Sequence, residues 1–300
     1  MRFLSIGECM GELAPTGDVD LYRFGFAGDT YNTAWYLRRL RPDIDVEYCT
    51  AIGRDEVSDR MLEAFAGHGI GTTFVTRRSD RSIGLYMITL RDGERSFAYW
   101  RSASAARLLA EDAACLDDAL GWADTVYFSG ITLAILENGG RARLLAALGA
   151  ARARGARVAF DPNLRPRLWG SRTEMTGAIM EAAGHADLIL PTFDDDAAAF
   201  GDADPRATAQ RYAAASAGTV LVKNGARPVW ILGDGLDEAR PVRPAERVVD
   251  TTAAGDSFNA AIIDAVSEST PLPQAVARAA DVASRVIAAR GALVDPLSPT

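Results

Sequence analysis

The residues best suited to carry out chemistry lie in the run Asp250-Thr-Thr-Ala-Ala-Gly-Asp256-Ser-Phe. The small side chains before Asp256 leave backbone N–H groups open to an anion, and the start of a following helix adds a partial positive charge. A carboxylate in the first helical turn can take a proton from an attacking hydroxyl. The run therefore predicts transfer of a phosphoryl group to a small hydroxylated molecule. The alternative is a glycine-containing turn that only caps a helix.

Composition narrows the classes of function. The chain has 300 residues, 48% of them hydrophobic, and a net charge of −8, which argues against nucleic-acid and anionic-membrane partners. The three cysteines are widely spaced, and the two histidines have no neighbouring metal ligands, so a disulfide framework, a zinc site and a histidine triad are not expected. No apolar window is long enough to span a bilayer, and the N-terminal segment does not read as a signal peptide. A cytoplasmic location is expected.

The elements that must position Asp256 alternate between short apolar strands and longer amphipathic helices. This pattern predicts an α/β fold whose mainly parallel sheet is covered by helices on both faces. The expected strands are Phe3–Ile6, Val46–Ile52, Thr125–Phe128, Arg157–Phe160, Leu188–Leu190, Thr219–Val222, Val229–Leu232 and Arg247–Val249. The expected helices are Thr30–Leu40, Ser58–His68, Arg141–Arg154, Thr173–Ala183, Pro205–Ala217 and Pro273–Arg290. A single domain over residues 1–300 is expected.

Two insertions break this alternation, at about residues 12–26 and 72–102. They carry strand-like stretches, notably Ile83–Leu90 and Arg95–Trp100, joined by the turn signal Arg91-Asp-Gly-Glu94. We expect a small β-sheet that acts as a lid and excludes water from the reacting groups. The alternative is an extension of the central sheet. The exposed apolar residues of such a sheet predict a homo-oligomer, a dimer through the lid.

The run around Asp256 resembles the C-terminal signature of the ribokinase-like (PfkB-type) carbohydrate kinases, and Ala27-Gly-Asp-Thr-Tyr-Asn32 is similar to their N-terminal signature. The resemblance covers essentially the whole chain. It implies a three-layer α/β/α kinase with a small β-sheet lid, ATP and Mg²⁺ as cofactors, and Asp256 as the catalytic base. The backbone of Ala253, Ala254 and Gly255 would form the anion hole.

Local matches within the family imply a sugar-acid substrate, 2-keto-3-deoxygluconate, phosphorylated at its terminal hydroxyl. They include Ile6-Gly-Glu-Cys-Met, Gly84-Leu-Tyr86, Tyr99-Trp-Arg101 and Asn163-Leu-Arg-Pro-Arg-Leu-Trp169. By this resemblance Arg101 and Arg165 would hold the acid end, because a guanidinium can bind a carboxylate through two parallel hydrogen bonds. The other residues implied to contact substrate are Gly28, Asp29, Asn32, Tyr86, Tyr99 and Asp256.

The implied nucleotide site is less distinct. Lys223 and Gly225 would lie near the phosphates, although a solvent-facing lysine is as plausible from the sequence. The further candidates are Thr192, Thr252, Ala254, Gly255, Ala283 and Ser284. The family's Asn-x-x-Glu element aligns with Thr192-Phe-Asp-Asp195, so Asp195 is a metal candidate that would act through water. Ala253 stands where the signature has glycine, and we expect it to keep a negative φ.

Two other functions stay open from the sequence. The first is the same chemistry on a neutral sugar, such as fructose or ribose, or on a nucleoside. The second is a non-catalytic sensor of sugar acids built on a kinase fold, since fold alone does not establish function.

Overall fold

The computed structural model describes residues 1–18, 20–91, 94–136, 138–216 and 218–297. Within them, the main sheet is built from strands β1 (Arg2–Ile6), β4 (Asp45–Ile52), β5 (Val75–Arg77), β8 (Thr125–Ser129), β9 (Arg157–Asp161), β10 (Leu188–Ile189), β11 (Thr219–Val222), β12 (Val229–Gly233) and β13 (Leu236–Arg240). Their spatial order is β13-β12-β11-β10-β9-β8-β1-β4-β5. The strands from β11 to β5 are parallel, whereas β12 and β13 pair antiparallel at one edge.

Helices cover both faces of this sheet, as the sequence pattern predicts. They are α1 (Asp29–Leu40), α2 (Glu56–Gly67), α3 (Ala113–Trp122), α4 (Gly130–Ile135), α5 (Asn138–Ala153), α6 (Arg172–Ala183), α7 (Phe193–Phe200), α8 (Pro205–Ala215), α9 (Ala254–Ser267) and α10 (Leu272–Val286). Along β8, Val126 and Phe128 face the core that α3 and α5–α8 cover, while Tyr127 faces the core under α1, α2, α9 and α10. This alternation follows from the two-residue period of a strand, and it produces the predicted three layers.

The lid sheet is formed by β2 (Met10–Pro15), β3 (Tyr22–Ala27), β6 (Leu85–Arg91) and β7 (Glu94–Trp100), in the order β3-β2-β6-β7. Its two outer pairings are antiparallel, and β2 pairs with β6 in parallel. Residues 92 and 93 of the expected turn lie outside the described residues. The insertion at 72–102 does not belong wholly to the lid, because β5 pairs with β4 in the main sheet.

One predicted strand is wrong, and it lies next to the candidate site. Residues 247–249 form no strand; instead the Val249 and Asp250 amides donate to the Ile287 carbonyl just after α10, at 2.7 and 3.2 Å. The segment is therefore tied to a helix end rather than to a sheet edge. In the described part of the chain, no helix combines the length and apolarity needed to cross a bilayer.

Candidate active site

A cavity of about 550 Å³ lies beneath the lid, where the carboxyl ends of several main-sheet strands meet. Glu8 follows β1, Asp161 ends β9, Thr192 follows β10 and Lys223 follows β11. Of the residues predicted from the sequence, the cavity is lined by Gly28, Asp29, Asn32, Tyr86, Tyr99, Arg101, Arg165, Thr192, Asp195, Lys223, Thr252, Ala253, Ala254, Gly255 and Asp256.

A second cavity of about 440 Å³ contains the remaining predicted residues, Gly225, Ala283 and Ser284. Its walls are largely apolar and include Val229, Val242 and Ile287. Both cavities are lined by Thr192, Lys223, Thr251, Ala254 and Gly255. Two binding volumes therefore meet at the start of α9, which suits a reaction between two substrates.

Asp250 fixes the loop that leads into α9. One carboxylate oxygen accepts from the Thr252 amide and hydroxyl at 3.0 and 2.7 Å, and the other accepts from the Gly291 amide at 2.8 Å. The first pair of bonds is a local turn, whereas the third reaches across to the chain after α10. The loop shape is thus set by a buried acid rather than by glycines.

Ala253 contradicts the expectation of a negative φ. It occupies the left-handed region, with φ 58° and ψ 14°, at the position just before α9. This conformation costs an L-residue on the order of 1–2 kcal/mol. The methyl group packs against two apolar clusters, and the Asp250 turn holds the adjacent backbone, so the fold overrides the local preference.

The first turn of α9 presents backbone donors to the cavities. Side chains cap α2, α6 and α8, where Asp55, Ser171 and Asp204 accept from amides in the first turn. The N-cap of α9 is Ala253, which has no such group. The Ala254 amide makes a long 3.3 Å bond to the Thr251 carbonyl, and among the described residues the Gly255 and Asp256 amides have no acceptor. These donors and the helix dipole are free for an anion.

The Asp256 carboxylate lies beside these amides and accepts from Asn32 Nδ2 at 2.8 Å. Removal from water raises its pKa to about 8, and repulsion from Asp29 and Asp161 adds to the shift, against the opposing effects of Asn32 and Lys223. Such a group is poised near neutral pH to exchange a proton, as a general base requires.

Lys223 does not face solvent. Its side chain is buried and its Nζ binds Asp161 Oδ2 at 2.8 Å and Asn259 Oδ1 at 3.1 Å, while Asn259 Nδ2 also donates to Asp161 Oδ2 at 2.6 Å. A Cβ at Gly255 would stand 3.6 Å from this ammonium, so the charge lies directly beneath the unpaired amides at the start of α9. Lys223 is the only lysine in the sequence. A compact ammonium fits this position, whereas a guanidinium is larger and planar.

The N-terminal signature lies against this cluster. Gly28 precedes α1, and a Cβ there would come within 2.2 Å of the Glu8 carbonyl oxygen, so the close approach requires glycine. Asp29 Oδ2 accepts from Asn163 Nδ2 at 2.7 Å. The lid contributes Tyr86, which is buried and donates to Glu12, and the more exposed Tyr99. Both rings line the cavity as predicted.

The two predicted arginines differ in environment. Arg101 is 10% exposed and its Nη2 binds the buried carboxylate of Glu8. Arg165 is 50% exposed, donates to the Leu164 carbonyl at 2.7 Å, and lies 3.5 Å from Asp195. Burial raises the pKa of Asp195, and Arg165 opposes the shift. In the part of the chain that the structure describes, each of the three cationic side chains that line the larger cavity is therefore accompanied by a carboxylate.

The donor set is compatible with a magnesium ion held mainly by phosphates. Within the described residues, no group of three or more His, Cys, Asp and Glu side chains could enclose a metal. Magnesium bound with nucleotides uses one or two carboxylates and keeps several waters. Asp195, on the cavity wall beside Thr192, can supply one such carboxylate. Thr192 is the N-cap residue of α7, but its side chain makes no capping hydrogen bond.

Sequence reasoning gave Glu8, Asp161, Asn163 and Asn259 no role in this site, although Glu8 and Asn163 lie within two of the family matches. Asp161 and Asn163 directly follow a predicted strand, and polar residues at that position were the available signal. Glu8 likewise follows β1. Asn259 is hidden on the buried face of α9, one turn after Asp256, and no periodic pattern marks it.

Comparison with known proteins identifies the family and agrees with the fold. Residues 2–298 match the sequence profile described as "pfkB family carbohydrate kinase". Proteins named 2-dehydro-3-deoxygluconokinase from Dickeya dadantii (strain 3937) and Escherichia coli (strain K12) are 42% and 40% identical over 297 residues; the alignments cover 96% of this chain, and 95% and 96% of theirs. The crystal structure of a fructokinase with bound ATP from Xylella fastidiosa superposes with a TM-score of 0.81 at 23% identity, covering 97% of this chain and 93% of that one. The chain belongs to the pfkB family of carbohydrate kinases.

Proposed function

We propose that the chain uses ATP and Mg²⁺ to phosphorylate the terminal hydroxyl of 2-keto-3-deoxygluconate, giving 2-keto-3-deoxy-6-phosphogluconate and ADP. The observation that carries the proposal is the junction of two cavities at α9, where Asp256 lies beside unpaired amides. The near-full-length relatives that share 35–42% identity are named for this activity. Phosphoryl transfer also needs a base for the hydroxyl and donors for the phosphate at the same place.

Each residue of the site has its own role in this reaction. ATP supplies the phosphoryl group. Asp195 would hold Mg²⁺ through water, and the ion, when bound, would neutralise phosphate charge. Asp256 orients the terminal hydroxyl and accepts its proton as that oxygen bonds to phosphorus. The Gly255 and Asp256 amides, with Lys223 beneath them, bind the phosphoryl oxygens as negative charge shifts toward the leaving phosphate. The lid tyrosines Tyr86 and Tyr99 enclose the sugar and exclude water.

The apolar cavity is the proposed site of the adenosine moiety. Val229, Val242 and Ile287 supply apolar walls, while Ala283 and Ser284 of α10 line the same volume. Nucleotide bases bind in such pockets with few polar contacts. Gly225, with φ 58°, lets the loop after β11 turn along the phosphates.

A substrate panel tests the assignment. ADP release is measured with 2-keto-3-deoxygluconate, fructose, ribose and a nucleoside at equal concentrations. The expected result is a kcat/KM for the keto-deoxy acid at least 100-fold above the others. A neutral sugar used equally well would replace the assignment, since fructokinases belong to the same family; ATP binding without turnover on any acceptor would favour a sensor.

The lid face also supports a dimer. Trp100 on the edge strand β7 is exposed, as is Tyr22 on the opposite edge strand β3. Exposed aromatic residues on sheet edges favour association. Light scattering should give about twice the 32.0 kDa mass of the chain, and Trp100→Glu should shift the measured mass toward that of the monomer.

The cytoplasm is the proposed location, because ATP is the co-substrate.

A further inference from the structure

Among the described residues that line the larger cavity, Glu8 is the one fully buried carboxylate that contacts a predicted substrate-binding arginine. It follows the central strand β1 and is 2% exposed, and it binds Arg101 Nη2. Gly84 makes room for the pair, because a Cβ there would stand 2.8 Å from Glu8 Oε1 and 3.2 Å from Arg101 Cβ. The backbone of the lid is therefore shaped around this contact.

The pair is not a two-bond fork. Glu8 Oε1 and Arg101 Nε are both buried, and neither has a hydrogen-bond partner. A buried ion pair with leftover polar atoms is weak support for stability, since desolvation offsets much of the attraction. Its place on the cavity wall gives it a different consequence: the charge of Arg101 is cancelled before any ligand arrives.

Arg165 presents the contrasting case. Half of its side chain is exposed, and its partner Asp195 is itself 43% exposed and 3.5 Å away. A ligand carboxylate can displace so loose a partner, but at Arg101 it would meet the Glu8 carboxylate. Two carboxylates that contact the same guanidinium in a partly buried site repel each other strongly.

We propose that Glu8 is a specificity-determining positioning residue: it holds Arg101 as a donor to neutral oxygens, the keto or hydroxyl groups of the sugar, and leaves Arg165 as the anchor of the substrate carboxylate. The inference rests on the proposed function and deepens it. It predicts that the selectivity for acid over neutral substrates is set by Arg165 and limited by Glu8.

The test compares Glu8→Gln with the wild type on 2-keto-3-deoxygluconate and on 3-deoxyfructose, in which a hydroxymethyl group replaces the carboxylate. The amide preserves the shape but frees the charge of Arg101. The acid-to-neutral ratio of kcat/KM should rise at least fivefold through a lower KM for the acid. Glu8→Asp keeps the charge, so its ratio should stay at the wild-type value even if overall activity falls.

The matched control is Glu12→Gln, which removes a buried carboxylate whose partner is the Tyr86 hydroxyl rather than a cation. It should leave the ratio unchanged, whatever its effect on activity. An unchanged or lower ratio in Glu8→Gln would overturn this inference alone. A wild type that prefers 3-deoxyfructose would instead overturn the proposed function, and this inference with it.

Discussion

Replacing Asp256 by Asn should raise the stability of the free protein while removing its activity. The folded-state pKa is about 8 against 3.8 for the unassisted group. Below pH 3.8 the carboxyl is protonated in both the folded and the unfolded state and does not change the free energy of unfolding. Above pH 3.8 the folded state resists ionisation, and the resulting loss of stability grows until about pH 8. At pH 7 this difference in pKa lowers the free energy of unfolding by at most about 4 kcal/mol.

Asp256 lines the cavity and is only partly buried, so solvent screening reduces that cost. We therefore expect Asp256→Asn to gain about 1–3 kcal/mol at pH 7, or about 2–6 °C in Tm. The gain should be about threefold larger at pH 8 than at pH 5. Turnover should fall about 1,000-fold, because the general base is lost. Nucleotide affinity should change less than threefold, because the amides of α9 remain.

Thermal unfolding and steady-state kinetics of the same preparations check these values. Asp264→Asn is the matched control: it lies two turns later on α9, and its buried carboxylate binds Arg41 and Arg278 at 2.9 and 2.5 Å. Breaking this cluster should destabilise the protein by about 3 kcal/mol or more. The reasoning fails if Asp256→Asn melts below the wild type, or if its gain does not depend on pH.

Five further substitutions, at four positions, probe the same site. Ala253→Gly should stay within about 1 kcal/mol of the wild type, since relief of the left-handed strain offsets lost packing, whereas Ala253→Val should lose about 2 kcal/mol or more in denaturant unfolding. Gly255→Ala should fold with unchanged Tm, because only Lys223 Nζ lies near the new methyl, but should lower kcat/KM at least tenfold by crowding the phosphate. Lys223→Arg should lower both Tm and turnover, since a guanidinium overfills the buried position; an unaltered Tm would contradict that packing. Arg165→Lys should lower kcat/KM for the keto-deoxy acid by about tenfold and for 3-deoxyfructose by less than threefold, because lysine keeps the charge but lacks the fork.

The sequence predicted the layers and the location of the site because both depend on local patterns. Apolar runs separated by amphipathic stretches indicate parallel strands and crossover helices. The carboxyl ends of those strands then bring Arg165 and Lys223 to one edge, and the run ending in Asp256 begins a helix there. No information about distant contacts was needed for these steps.

The pairing of charges could not be predicted, because it depends on residues far apart in sequence. Lys223 meets Asp161 across 62 positions, and Glu8 meets Arg101 across 93. The conformation of Ala253 was mispredicted for a related reason: intrinsic preference opposes the left-handed region, and the Asp250 bonds and tertiary packing override it. The absent strand at 247–249 reflects its bonds to the end of α10, which no local pattern reveals.

The central claim is that Asp256 faces the reacting alcohol while the neighbouring amides bind the transferring phosphate. A crystal structure of the protein with 2-keto-3-deoxygluconate and a non-hydrolysable ATP analogue measures this directly. The terminal hydroxyl should lie about 2.6–3.2 Å from an Asp256 carboxylate oxygen, with γ-phosphate oxygens accepting from the Gly255 and Asp256 amides. A terminal hydroxyl beyond hydrogen-bonding reach of Asp256, or a γ-phosphate bound away from the start of α9, would contradict the account.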